Sequence, residues 1–197
     1  MKELLLASGN KGKIAEIRRI LDGYVERLYS AADFPDLTEA VEDGDTFEAN
    51  ACKKALHAAI ATGFPALADD SGLVVDALDG MPGIRSARFA GEGCGDAANN
   101  EKLLRCLEGV EACRRTAAFQ CVVALCFPDG SCLTFRGELK GVVLEKARGA
   151  GGFGYDPLFL VNEFGKTLAE LDVEVKNLIS HRGKALEGVR HYLSQIR

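Results

Sequence analysis

Apolar residues open the chain as a run from Leu4 to Ala7, predicting a buried strand over Glu3–Ala7. They then recur as Ile14, Ile17, Ile20 and Leu21, the spacing of an amphipathic helix over Lys13–Leu21, with the turn Ser8-Gly9-Asn10-Lys11-Gly12 between the two. Tyr24–Ser30 alternates like a strand, and the acidic stretch Asp33–Asp45 reads as a loop. Thr46–Thr62 is alanine-rich with apolar residues at helical spacing, after a capping residue, Asp45. Ala66–Asp69 and Leu73–Asp76 read as strand pieces around a tight turn, and Gly80, Pro82 and Gly83 as a loop before a helix from Asp96 to about Leu107.

Two β-prone runs, Thr116–Phe127 and Ser131–Leu139, flank Pro128-Asp129-Gly130, which supplies the turn dihedrals of a hairpin. A cluster of glycines, Gly149, Gly151, Gly152 and Gly154, leads through Tyr155-Asp156-Pro157 into a strand at Leu158–Val161. Helices follow near Leu168–Ile179 and Gly183–Ile196, the second preceded by a capping residue, Ser180. A βα start together with a central hairpin implies an α/β fold with a mixed sheet. At 197 residues, residues 1–197 suit one domain or two lobes sharing a core.

Composition narrows the class. A net charge of −5 disfavours general affinity for a nucleic-acid backbone, so a polyanion has to be met locally. The opening MKELLLASGNKGK is too short for the apolar core of a signal peptide, and no later run approaches a membrane span, which reads as cytoplasmic. Seven cysteines, at positions 52, 94, 106, 113, 121, 126 and 132, form no CxxC pair and read as reduced packing thiols.

Four segments carry chemistry. In Ser8-Gly9-Asn10-Lys11-Gly12-Lys13, glycines let backbone amides approach an anion, the helix N-terminus adds partial positive charge, and Lys13 adds a cation. It is not a Walker loop, since two residues separate Gly9 from Gly12, and an ordinary βα connection is equally open. In Ala68-Asp69-Asp70-Ser71-Gly72, adjacent carboxylates at a strand end point to opposite faces and offer hard oxygens suited to magnesium; a plain turn is the alternative.

Gly151-Gly152-Phe153-Gly154-Tyr155-Asp156-Pro157 frames an aromatic ring able to stack on a base, with Asp156 placed for ring N–H groups, or else anchors a tight turn. Lys176 and Ser180-His181-Arg182-Gly183-Lys184 gather donors that recognise a carbonyl oxygen and would be left unpaired against an amino group. The other reading of that segment is a solvated helix cap.

Together with Thr46-Phe47, Asn50-Ala51, Lys54 and Pro82-Gly83-Ile84…Ser86-Ala87-Arg88, these segments make nearly the whole chain resemble the non-standard purine NTP pyrophosphatases, the ITP/XTP diphosphatases. The resemblance implies a homodimer of two-lobed subunits with an elongated mixed β-sheet flanked by helices, an active-site cleft between the lobes, and Mg2+. By it, Ser8, Asn10 and Lys13, within the turn that includes Gly9, Lys11 and Gly12, hold the triphosphate, and Lys54 neutralises it further. Glu42 and Asp70 serve the metal and the attacking water, with Asp70 the general base. Phe153, in its Gly154-Tyr155 frame, stacks on the purine; Asp156, Lys176, Ser180, His181 and Arg182 read its edge, and Ser71 touches the nucleotide.

The family's usual Glu directly before the Asn of the second helix is shifted here to Glu48-Ala49-Asn50, which leaves Glu48 without an assigned role. A related pyrophosphatase of pyrimidine or modified nucleotides shares the βα start but lacks the Phe-Gly-Tyr-Asp-Pro and Ser-His-Arg segments. A non-catalytic nucleotide-binding module would need neither Asp70 nor Glu42.

Overall fold

In a computed structural model of the chain, residues 1–196 are described; Arg197, the last residue of the expected domain 1–197, lies outside them. Seven strands form one mixed sheet in the order β2-β1-β3-β4-β5-β6-β7. The strands are β1 (Glu3–Leu6), β2 (Arg27–Ser30), β3 (Ala66–Val75), β4 (Thr116–Cys126), β5 (Cys132–Val143), β6 (Phe159–Val161) and β7 (Lys166–Thr167). The helices are α1 (Lys11–Ile20), α2 (Phe47–Thr62), α3 (Asp96–Cys106), α4 (Val173–Ile179) and α5 (His181–Gln195). β1 runs parallel to β2 and β3, whereas β5 with β6 and β6 with β7 are antiparallel.

The chain divides into two compact units, the first made of residues 1–70, 121–137 and the segment from Arg182 on, the second of 71–120 and 138–181. In the first, Leu4, Leu6, Ile17, Leu67, Val123, Leu186 and Val189 form one buried cluster, and Leu5 packs with Ala51, Ala55, Ala58 and Ala59 of α2 in another. In the second, Leu73, Leu103, Phe119, Leu158, Phe159 and Leu168 form the core. The alanine stripe of α2 explains its close packing, since small side chains let a helix approach the sheet.

Local physics moved several boundaries. Helix α1 starts at Lys11, two residues early, because the Asn10 side chain accepts the Lys13 N–H at 3.0 Å and caps it. The cap of α2 is Thr46, one residue past Asp45: the Thr46 hydroxyl takes the Ala49 N–H at 3.1 Å. β2 keeps only Arg27–Ser30, since Tyr24 closes a turn through its N–H on the Leu21 carbonyl. Leu168–Glu170 form a turn and α4 begins at Val173, after Asp172.

The most consequential correction concerns Asp69–Gly72. No turn interrupts this segment; β3 runs unbroken through Asp69, Asp70, Ser71 and Gly72 with most of its residues buried. The Leu73 N–H is taken by the Ser86 hydroxyl at 2.9 Å, so even here a backbone donor has a partner.

The expectation of seven reduced thiols is also overturned. Cys126 and Cys132 form a disulfide, because the Phe127–Ser131 turn sets the ends of β4 and β5 opposite each other, with the Phe127 N–H on the Ser131 carbonyl at 2.8 Å. The other five cysteines are thiols. With its ends only six positions apart, this bridge closes a short loop and restrains the unfolded chain modestly. Cys132→Ser is expected to lower the unfolding free energy by about 2 kcal/mol, read as a lower urea midpoint in the absence of reductant.

Candidate functional site

Each unit gathers one set of the expected residues. The first set is built where β1 passes into α1. Ser8 Oγ accepts the Asn10 N–H at 3.3 Å and Asn10 caps α1, so the loop turns sharply and delivers Lys13 within the first turn of the helix. Gly9 is exposed there beside Glu39, whose Oε1 lies 3.6 Å from the place a Cβ would occupy.

Adjacent residues of a strand face opposite ways, and β3 gives its two carboxylates opposite surroundings. Asp69 Oδ2 meets Lys13 Nζ at 3.0 Å and Arg182 Nε at 3.1 Å, with its side chain fully buried. Arg182 is also buried and its terminal nitrogen bonds Glu16 of α1. Two cations and two carboxylates therefore join α1, β3 and α5. Burial alone would push the Asp69 carboxyl up, but Lys13, Arg182 and Lys54 together hold it far below the usual carboxylate range. Arg182 is in turn held charged: burial opposes it, and Asp69 and Glu16 outweigh that. Cys121, buried beside Asp69, is an inert thiol with its pKa pushed up to about 12 by burial and then by that carboxylate.

Asp70 sits among different partners. Its Oδ2 accepts from Asn50 Nδ2 at 3.1 Å, and its Oδ1 lies 3.7 Å from Lys54 Nζ, which is 3.1 Å from Glu42 Oε1. Asn50 and Lys54 are four apart on α2 and so share a face. Asn50 Oδ1 takes the Gly44 N–H at 2.8 Å, tying the acidic loop to the helix. A Cβ on Gly44 would fall 2.7 Å from that oxygen, so the close approach needs glycine. Burial pushes the Asp70 carboxyl up; Lys54, Lys13 and the Asn50 amide pull it back without cancelling the rise.

Among the described residues no cluster of three or more His, Cys, Asp and Glu side chains is placed to hold a metal. Glu42 and Asp70 are two hard oxygen donors with a cation, the Lys54 ammonium, already held between them. That donor set fits magnesium, which takes one or two carboxylates and completes its shell with water and phosphate oxygens.

The second set surrounds the glycine-rich loop. Asp156 Oδ2 accepts both the Phe153 N–H and Lys176 Nζ, each at 2.8 Å, and the Lys176 ammonium lies 4.7 Å from the Phe153 ring centroid. At Gly152, φ is +74° and a Cβ would meet Asp156 Oδ2 at 2.1 Å, so only glycine lets the loop fold back on that carboxylate. Tyr155 is buried, its hydroxyl donating to the Ser86 carbonyl at 2.8 Å, which makes it an anchor of the loop. Ser180 and His181 are buried, and the His181 ring stacks on Phe119 at 4.7 Å and 9°. Ser71 is half-buried in β3.

Ser8–Lys13, Glu42, Lys54, Asp70 and Arg182 thus fall in the first unit, and Ser71, Phe153–Asp156, Lys176, Ser180 and His181 in the second. The chain itself links the sets through the peptide bonds Asp70–Ser71 and His181–Arg182. Asn50 and Glu16 had no assigned role in the sequence, and Asp69 figured there only as one of two adjacent carboxylates on opposite faces. Asn50 carried a readable signal, a polar residue on the buried alanine stripe of α2. Glu48 holds Thr134 at 3.0 Å and Arg136 at 2.6 Å, so it braces α2 against β5.

Residues 4–192 match the Ham1 family. This chain belongs to that family. It is 60% identical over 193 residues to the dITP/XTP pyrophosphatase of Geobacter sulfurreducens, covering 98% of this chain and 97% of the relative. The Desulforamulus reducens dITP/XTP pyrophosphatase is 54% identical, with 98% and 96% covered. Among solved structures, a HAM1 protein from Coxiella burnetii superposes with a TM-score of 0.90 at 42% identity, over 99% of this chain and 100% of that one. The mixed seven-stranded sheet of this Ham1-family protein is thus the fold of its relatives. No helix among the described residues is long and apolar enough to cross a membrane.

Proposed function

We infer that this Ham1-family protein hydrolyses non-standard purine nucleoside triphosphates, such as ITP, dITP and XTP, to the monophosphate and pyrophosphate, the activity for which its dITP/XTP pyrophosphatase relatives are named. One observation supports the chemistry most: neighbouring carboxylates meet different partners, Asp69 the Lys13 and Arg182 cations, Asp70 the Asn50 amide with Lys54 beyond it. Asp69 is locked as an anion by Lys13 and Arg182, while Asp70 is shifted toward accepting a proton. Such divergence is how a site separates a structural acid from a general base.

In this reading Asp70 orients a water and takes its proton as the water oxygen bonds the α-phosphorus. The bond from that phosphorus to the bridging oxygen breaks, and pyrophosphate leaves. Lys13, Lys54 and the first amides of α1, with Ser8 and Asn10, neutralise and hold the phosphates. Glu42 and Asp70 would hold Mg2+, which when bound supplies charge stabilisation at the phosphate oxygens. Phe153 stacks on the purine, Ser71 touches the nucleotide, and Asp156, Lys176, Ser180, His181 and Arg182 read the base edge. We further propose a homodimer, as the family resemblance implies, and a cytoplasmic location, for which sedimentation equilibrium and cell fractionation are the measurements.

Buried donors left unpaired by a 6-amino group cost about 1–3 kcal/mol each, so ATP should react at least tenfold more slowly than ITP by kcat/KM. A panel of nucleoside triphosphates with Mg2+, scored separately for pyrophosphate and orthophosphate, checks this. Orthophosphate as product, or equal rates on ITP and ATP, would overturn it.

A further inference from the structure

Helix α3 holds the backbone on the C-terminal side of Phe153. Asp96, its first residue, accepts the Gly154 N–H on Oδ2 at 2.7 Å. Asn100, four residues on and so on the same helix face, donates Nδ2 to the Gly154 carbonyl at 2.9 Å. The helix is itself fixed: Asn99 is buried, its Oδ1 taking the Ala90 N–H at 2.7 Å and its Nδ2 reaching the Ala87 carbonyl at 3.1 Å, and Lys102 Nζ donates to the Phe89 carbonyl at 2.6 Å.

The peptide group before Phe153 is held by Asp156 through the Phe153 N–H, and the peptide group after it by Asp96 through the Gly154 N–H. Both torsions of Phe153 are therefore set by carboxylate acceptors from two different elements. The cap of α3 is Gly95, which has no side chain, so the nearest carboxylate at this helix start is that of Asp96, and it is turned to the Gly154 N–H.

We propose that Asp96 and Asn100 are positioning residues that aim the Phe153 ring, so that α3 sets nucleotide affinity without touching the base. This rests on the reading of Phe153 as the base-stacking residue. A flexible glycine loop that has to order its ring on each binding event loses affinity, whereas one already ordered does not. Loss of the Asp96 acceptor should therefore weaken binding of the base and spare the phosphates.

The experiment compares wild type, D96A, D96N, N100A and F153A, with ITP as substrate and inorganic pyrophosphate, which has no base, as competitive inhibitor. D96A and N100A should raise KM for ITP about tenfold, with kcat and the inhibition constant of pyrophosphate within about twofold of wild type. D96N keeps an acceptor for the Gly154 N–H and should restore KM, which a role limited to charge at the α3 N-terminus would not allow. If F153A raises KM and D96A and N100A do not, the positioning role fails alone. If F153A leaves KM unchanged, the stacking reading fails and the positioning role with it. An equal rise in KM and in the pyrophosphate constant would mean general damage and would overturn the proposal.

Discussion

Asp70→Asn is expected to cut turnover of ITP by a factor of about 10²–10⁴ while the nucleotide still binds, the range for losing a general base. The amide has the same shape, its one remaining oxygen can still accept from Asn50, and Lys54 keeps Glu42, so the local packing should persist. What disappears is the proton acceptor that burial has made more basic. Pyrophosphate release at saturating ITP reads the loss, and titration calorimetry of the variant reads retained binding. Full turnover in Asp70→Asn would remove this carboxylate from the chemistry.

Replacing its neighbour has a different consequence. Asp69→Ala is expected to destabilise the fold by about 3–5 kcal/mol, the cost of stripping one partner from a buried ion pair. Arg182 is buried and bonded on one side to Glu16, and Lys13 would lose its nearest carboxylate. Urea denaturation of wild type and variant at neutral pH measures the difference. The sign with pH follows from the depressed carboxyl: its contribution is complete above the unfolded value near ~3.9 and declines as pH falls below it toward the lower folded value. The gap between the two proteins should therefore hold from neutral pH to about pH 5 and shrink below about pH 4. A variant as stable as wild type at neutral pH would show the charged cluster to be energetically idle.

The sequence conveyed the fold through periodicity where one force dominated. The hairpin was readable because Pro128-Asp129-Gly130 fixes its turn, and α2 because its alanines recur at helical spacing. Boundaries slipped where a side chain captured a backbone amide, as Asn10 and Thr46 do. The segment Asp69–Gly72 misled because its residue types favour turns, while its place inside β3 is fixed by burial and pairing that only the assembled sheet supplies. Lys13, Lys54 and Asp70 could be named from their motifs. The partnership of Asp69 with Arg182, 113 positions away, and of Arg182 with Glu16, 166 away, has no local signature. The disulfide follows from the same hairpin, whose turn sets Cys126 and Cys132 at facing strand ends; cysteine spacing taken without the hairpin carries no such signal.

The unbroken course of β3 restricts how this segment can change over time. Its two acids have separate tasks only because consecutive side chains alternate between faces, so dropping or adding a single residue just upstream would put one of them in the other's surroundings. A dropped residue would hand the acid tuned for proton transfer to Lys13 and Arg182, and an added one would stand the supporting acid beside Lys54. Evolution can exchange letters in this stretch but not alter its length.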